Sequence, residues 1–227
     1  MTPMKNKFVP PIFAQLCLLL IAGLSIGGCG ALGWWASWLP PDAVDAIYKF
    51  PEKTTVLVLV DDPKGLGREA SIQLDLANAI NDQLLDHKVT KKVISQRSLL
   101  IEMSRTPSFQ QLSITEIGKR LKADIVLHVK IDQFALKDNR LSPIWHGELA
   151  ATVKVVSVKD GRLWPTDRHG GYAMPEINSP READDESKRM GEKITARMAK
   201  EMADKIAKLF YKHPGKAHEE LPDEKPL

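Results

Sequence analysis

The sequence predicts an α/β domain: a mixed sheet of about five strands with an antiparallel meander in its second half, and helices packed on it, the last one long. Three observations predict it. Thr54-Thr55-Val56-Leu57-Val58-Leu59-Val60 is a continuous apolar, β-branched run, the composition of a strand covered on both faces. Ile72, Leu76, Ile80 and Leu84 recur every fourth residue, one stripe of a helix that needs a sheet to lie on. Leu149, Ala151, Val153 and Val155 alternate with Ala150, Thr152 and Lys154 ahead of Asp160-Gly161, a half-buried strand running into a tight hairpin.

The chain opens on Lys5 and Lys7 and then carries no charge until Asp42; within that run stands Leu24-Ser25-Ile26-Gly27-Gly28-Cys29. A cationic start, an apolar segment and small residues make an export signal, which is set aside before a fold is argued. Small residues leading directly into a cysteine resemble the lipobox of bacterial lipoproteins. The resemblance implies cleavage between Gly28 and Cys29 and a covalent lipid on the Cys29 thiol. The uncharged run is also long enough to cross a bilayer uncleaved, which takes about 20 residues. Against that, Pro10 and Pro11 open it and Gly23, Gly27, Gly28, Gly30 and Gly33 break its second half. A third reading is an ordinary signal with an incidental cysteine; all three export the remainder of the chain. The expected division is a signal at 1–28, a tether at 29–52, one domain at 53–212 and a disordered polar tail at 213–227.

Composition narrows the function classes. Lys and Arg number 32 against 29 Asp and Glu, a net charge of +3, and without Lys5 and Lys7 the balance is +1. Nothing in that balance calls for nucleic acid or an anionic surface. The cysteines are Cys17, inside the leader, and Cys29. A domain starting beyond them has no disulfide, no thiolate zinc site and no cysteine nucleophile, so packing must stabilise it.

In chain order, Trp34, Trp35 and Trp38 follow the anchor as an interfacial collar or as rings packed on the domain, and Pro40-Pro41 stop any helix there. After the first strand, Asp61 to Gly67 is a loop and a helix runs from about Glu69 to Asp86. Lys92 to Ser95 is a short strand, and Ser95 caps a helix over Gln96 to Met103. Ser113 to Glu116 is a capping box opening a helix that ends near Lys122. Ile125 to Leu136 is a long strand, Lys137 to Pro143 a turn, Gly147 to Val158 a strand and Arg162 to Trp164 the final one. Pro165 to Pro180 reads as loop. Ala183 to Lys212 is the long helix, with Ile194, Met198, Met202, Ile206 and Leu209 or Phe210 inward.

Three runs in this order carry a family resemblance. They are Val93-Ile94-Ser95-Gln96-Arg97-Ser98-Leu99-Leu100, Ile117-Gly118-Lys119-Arg120-Leu121-Lys122-Ala123-Asp124-Ile125-Val126-Leu127, and Lys159-Asp160-Gly161-Arg162-Leu163-Trp164. Together they resemble a group of bacterial envelope proteins: the amino-terminal domain of TolB, the curli-secretion lipoproteins and the lipoprotein activators of penicillin-binding proteins. The likeness spans about Thr54 to Lys212 and implies architecture and location more than activity. The long amphipathic hairpins of the curli family have no counterpart in this sequence.

Catalytic patterns are sparse. Gly65-Leu66-Gly67-Arg68-Glu69-Ala70 fits G-x-G-x-x-A between strand and helix, but Asp61 and Asp62 crowd that strand end, and no acidic residue follows the second strand to hold a ribose. Asp61-Asp62 could also hold a cation if a neighbouring strand supplied a third ligand; the strand from Ile125 offers His128. His146-Gly147-Glu148 matches H-x-E without the cysteine pair that zinc deaminases need. Asp167 and His169 share a Gly-rich loop and could act as acid and base or as metal ligands. Trp145, Trp164, Tyr172 and Met174 lie on or beside the meander loops and suit protein recognition, unless they are buried.

These readings converge on a protein with no catalytic residues, no metal and no cofactor beyond the lipid on Cys29. Its expected partners are the membrane and envelope proteins, with self-association left open. No aspartate follows Cys29, which directs it to the periplasmic face of the outer membrane, with the inner membrane as the alternative. The competing functions are an envelope hydrolase or metal enzyme using Asp167 and His169 or Asp61 and Asp62, and a membrane subunit whose leader is retained.

Overall fold

The apolar run forms an interior strand, β1 (Thr55–Asp61), in which Val56, Leu57 and Val58 are fully buried. Burial on both faces is what the missing alternation requires. The computed structural model describes residues 43–67, 71–136, 144–183 and 187–215. One unit runs from Asp45 to His213, and residues 1–44 and 214–227 form the other. Gly28, Cys29 and the three tryptophans at 34, 35 and 38 lie outside the described residues, as do Lys137 to Pro143 and the tail beyond residue 215.

In the larger unit, β1 is followed by helix α1 (Ile72–Asp86), β2 (Lys92–Val93), α2 (Gln96–Arg105), a 3-10 turn (Phe109–Gln111) and α3 (Ile114–Arg120). Then come β3 (Ile125–Ala135), β4 (Ile144–Trp145), β5 (Glu148–Ser157) and β6 (Gly161–Trp164). Three two-residue strands, β7 (Tyr172–Ala173), β8 (Ile177–Asn178) and β9 (Glu182–Ala183), precede the long helix α4 (Ser187–Lys208).

The main sheet has the order β2-β1-β3-β5-β6. Both neighbours of β1 are parallel to it, while β3, β5 and β6 form the expected antiparallel meander. The fold is therefore the mixed α/β sheet with a long C-terminal helix that the sequence predicts. A bulge at Ile131/Gln133 shifts the β3–β5 register.

Two expectations need correction. The stretch from Pro165 to Pro180 is not all loop: β7 and β8 continue along the edge of β5 where β6 stops, with Tyr172 opposite Val153 and Ile177 opposite Leu149. An interior strand as long as β5 needs partners for its backbone groups along its whole edge, and two-residue strands are too short to show a period. The last helix starts at Ser187 rather than Ala183, which pairs with Ile144 in β9, and ends at Lys208, short of Lys212, because the Leu209 and Phe210 amides donate three residues back, to Ile206 and Ala207, and turn both side chains inward.

Local signals hold at the helix starts. Ser95 Oγ accepts from the Ser98 amide, and Ser113 and Glu116 close a complete capping box. Packing then divides by sheet face. Ile72, Leu76, Ile80 and Leu84 of α1 and Ile194, Met198, Met202 and Ile206 of α4 cover Val56, Val58, Leu127, Val129, Val153 and Val155. On the other face α2, α3 and the 3-10 turn bring Leu99, Ile117 and Phe109 onto Leu57, Leu59 and Val126.

Candidate functional site

Among the described residues, helices cover that second face at one end only. Past Val126 the same side of β3 carries His128, Lys130 and Asp132, and β5 places Lys154 opposite His128 and Thr152 opposite Lys130. His128 is still buried, but the Lys130 and Asp132 side chains are 41% and 33% exposed. The result is a polar strip on an otherwise apolar sheet, generated by the polar phase of the alternation in β3 and β5.

Its side chains are tied to one another. Asp132 sits between Lys130, whose Nζ is 2.7 Å away, and the Thr152 hydroxyl, which donates to its other oxygen. Lys64 Nζ donates to the Asp132 carbonyl at 3.1 Å. Burial works against the Asp132 carboxylate, yet Lys130, Thr152 and Lys64 outweigh it and hold the group below its ordinary value. Farther along, Glu148 accepts from Gln133 Nε2 at 2.6 Å and lies 3.2 Å from His146 Nε2. At the other end, His128 Nε2 is 3.6 Å from Asp61, and its buried Nδ1 has no hydrogen-bond partner among the described residues.

Lys154 stands among cations. Burial lowers its pKa first, and Arg162 and Lys130 add repulsion that Asp132 only partly offsets. Gly171, with a positive φ of 111°, lies on the stems below: a Cβ there would come within 2.6 Å of Thr152 Cγ2 and 2.9 Å of Lys154. Arg162 fastens the same loop by donating to the Arg168 carbonyl at 3.1 Å.

The sequence-selected residues separate in three dimensions. Trp145 and Met174 belong to the buried core. Trp164 and Tyr172 are half-buried in an aromatic cluster on the helix-covered face, their rings 5.1 Å apart. Trp164 also meets Tyr48 at 6.2 Å and Phe210 at 6.1 Å, while Phe50 stacks on Phe210 at 4.8 Å. Arg168 lies over the Tyr172 ring at 5.6 Å. Asp167 and His169 are exposed, and Asp167 lies 3.6 Å from Arg168.

Asp61 and Asp62 diverge. Asp61 faces His128, while the Asp62 carboxylate accepts from the Leu66 and Gly67 amides at 3.0 and 2.8 Å. Those are amides that a phosphate on the G-x-G turn would need, and a carboxylate of this chain already fills the position. No group of three or more His, Cys, Asp or Glu among the described residues could hold a metal ion. Of the polar strip the sequence analysis singles out only Asp61 and His128; the rest of the signal lies in Lys130 and Asp132, which alternate with Val129 and Ile131, and in Thr152 and Lys154, which alternate with the inward Ala151, Val153 and Val155.

No protein-family model matches the sequence, and no curated protein matches it. Solved structures that it resembles include a PelC dodecamer from Paraburkholderia phytofirmans, at 7% identity over 75% of this chain and 97% of that one, with a TM-score of 0.40. The lipoprotein GNA1162 from Neisseria meningitidis is 13% identical over 66% of this chain and 99% of that one, TM-score 0.37. A minor lipoprotein from Acinetobacter baumannii is 8% identical over 69% and 90%, TM-score 0.31. At such scores what those proteins do stays with those proteins.

Proposed function

We propose that this chain is a lipid-anchored envelope lipoprotein whose α/β domain binds other envelope proteins and carries out no chemistry of its own. The observation that carries the reading is Cys29 directly behind Ile26-Gly27-Gly28, in a run uncharged from Phe8 to Pro41. The domain supports it with a sheet face that the described helices cover only in part, where carboxylates are engaged by neighbouring side chains rather than converging on one point. A partly covered face of paired polar groups suits recognition, in which fixed donors and acceptors meet a partner's. No helix among the described residues is long and apolar enough to cross a membrane. In this reading the anchor is the lipid on Cys29, followed by Gly30 rather than an aspartate, on the periplasmic face of the outer membrane.

Intact mass of the membrane-extracted protein tests the anchor. A chain beginning at Cys29 with added acyl mass is expected, and Cys29→Ser should abolish both; a full-length mass would mean a retained leader. Crosslinking in the native cell tests the role, with capture of envelope proteins through positions on the strip, such as Lys130 and Lys154. Stoichiometric metal in the purified protein, lost on Asp61→Ala or Asp167→Ala, would replace this reading with a metal enzyme.

A further inference from the structure

Exposed lysines gather at one end of the strands although the chain is nearly neutral. At the N-terminal end of the parallel strands, several turns meet. Thr55 pairs with Lys92 and Val56 with Ile125. The Thr55 amide donates to the Asp124 carboxylate at 2.7 Å, the Val158 amide to the Asp124 carbonyl at 3.0 Å, and the Thr90 hydroxyl to the Thr54 carbonyl at 3.0 Å. These bonds gather Lys53, Lys88, Lys91, Lys92, Lys122 and Lys159, all exposed, at one end of the domain. Of the carboxylates there, Asp124 is bound to the Thr55 amide and Asp160 accepts from the Ser157 hydroxyl, while Glu52 and Asp86 stand exposed among the lysines. The opposite end of the same strands carries Asp61, Asp62, Asp132 and Glu148, with Lys64 and Lys130 among them.

The chain also joins the domain at the lysine end. The Tyr48 amide donates to the Leu209 carbonyl at 3.0 Å, at the end of α4. Just beyond, Tyr211 stacks on His87 at 4.0 Å, where α1 hands over to Lys88. Only the residues between Cys29 and Asp45 separate this end from the proposed anchor. Fully extended, they span at most roughly 55 Å. Tethering of this kind turns a weak electrostatic contact into an intramolecular one.

We infer that the lysine end docks on the anionic phospholipid headgroups of the leaflet that holds the anchor, a reading that rests on the lipoprotein assignment above. Lysines within a Debye length of such a surface are attracted in proportion to its negative charge and released by salt. The strands then stand away from the membrane, with Asp61, Asp132 and the polar strip turned toward partners.

The test uses the full processed chain, reconstituted in vesicles of phosphatidylcholine alone or of phosphatidylcholine with phosphatidylglycerol, and lysine acylation read by mass spectrometry. With phosphatidylglycerol, Lys53, Lys88, Lys91, Lys92, Lys122 and Lys159 should label at least about threefold more slowly, while Lys64 and Lys200 are unchanged. About 1 M salt should restore the rates, as should Lys88→Glu/Lys91→Glu/Lys122→Glu, whose exposed positions leave the circular dichroism spectrum intact. Equal labelling in the two vesicles, or slowing that salt does not reverse, overturns the docking. Intact mass on the same sample separates the failures: an acylated chain with unchanged labelling sinks the docking alone, whereas an unprocessed chain sinks the anchor on which it rests.

Discussion

The Asp61 carboxylate at the end of β1 lies 3.6 Å from Nε2 of buried His128 on β3, joining two parallel strands on the face that carries the polar strip. The His128 imidazole holds the Asp61 carboxyl below its ordinary value of 3.8, outweighing the opposing burial, and Lys130 adds to the pull. A carboxyl lowered on folding contributes stability that is fully present above 3.8 and is lost as pH falls through the lower folded value. Half exposure of the Asp61 side chain screens the effect, so Asp61→Asn should cost no more than about 1 kcal/mol at neutral pH. It should also flatten the fall in melting temperature between about pH 4 and pH 2. Thermal unfolding of both proteins across that range checks it, and an unchanged acid limb would show that the pair contributes nothing.

Lys154 gives a prediction of opposite sign. Burial, Arg162 and Lys130 all press its pKa below the ordinary 10.5, so at neutral pH the folded state bears a cost that the unfolded state does not. That cost fades as pH rises through the lowered value toward 10.5. Lys154→Met keeps the stem that packs beneath Gly171 and removes the charge. We expect stability unchanged or raised by up to about 1 kcal/mol, and a melting temperature less responsive to alkaline pH than that of the parent. A clear loss of stability would mean that the ammonium is favourably held.

Gly147 sets how closely β5 approaches α4. A Cβ at that position would lie 2.6 Å from Met198 Sδ and 2.7 Å from Ile194 Cγ2, both on fully or almost fully buried side chains. Met198 can bend away, but branched Ile194 has little freedom. Gly147→Ala should therefore cost about 1–3 kcal/mol through overpacking. Gly170→Ala, with nothing within 4 Å, should stay within about 0.5 kcal/mol. Denaturant unfolding of the two variants checks the contrast.

Legibility in the sequence depends on where the information sits. The stripes of α1 and α4 and the alternation of β5 are local, because a residue's neighbours in sequence fix which way it faces, and every residue of the α1 stripe is fully buried. The caps at Ser95 and Ser113 are local too. The Asp61–His128 contact, which the sequence offers only on condition that the two strands are neighbours, depends on strand order, and Thr152–Asp132 on the bulge at Ile131/Gln133; no window of sequence contains either. Trp145 and Met174 were selected by residue type, but burial decides whether a large apolar side chain recognises a partner or fills a core, and here both fill the core. The residues read as tether up to Glu52 include Tyr48 and Phe50, which pack against that core because Phe210 and Trp164 provide a surface for them.

That packing makes the start of the domain separately testable. Phe50 stacks on Phe210 at 4.8 Å, Tyr48 meets Phe210 edge-on at 6.5 Å, and the Tyr48 amide is bonded to the Leu209 carbonyl. Burial raises the Tyr48 phenol pKa, as expected of a ring shielded from water. Of the ring contacts only Tyr48–Trp164 reaches the sheet, at its edge strand, so the segment should open without unfolding it. Phe50→Ala removes one face of the stack from a partly buried site and should cost about 1–2 kcal/mol, less than a fully buried phenylalanine. In hydrogen exchange the Tyr48 amide should lose about tenfold or more protection, while the Val58 and Leu127 amides change only by the global loss. Phe50→Leu should recover part of that protection by refilling the space without the ring. Equal deprotection of all three amides would instead make residues 45–50 part of the same cooperative unit as the sheet, and a pull on the chain before Asp45 would then reach the core directly.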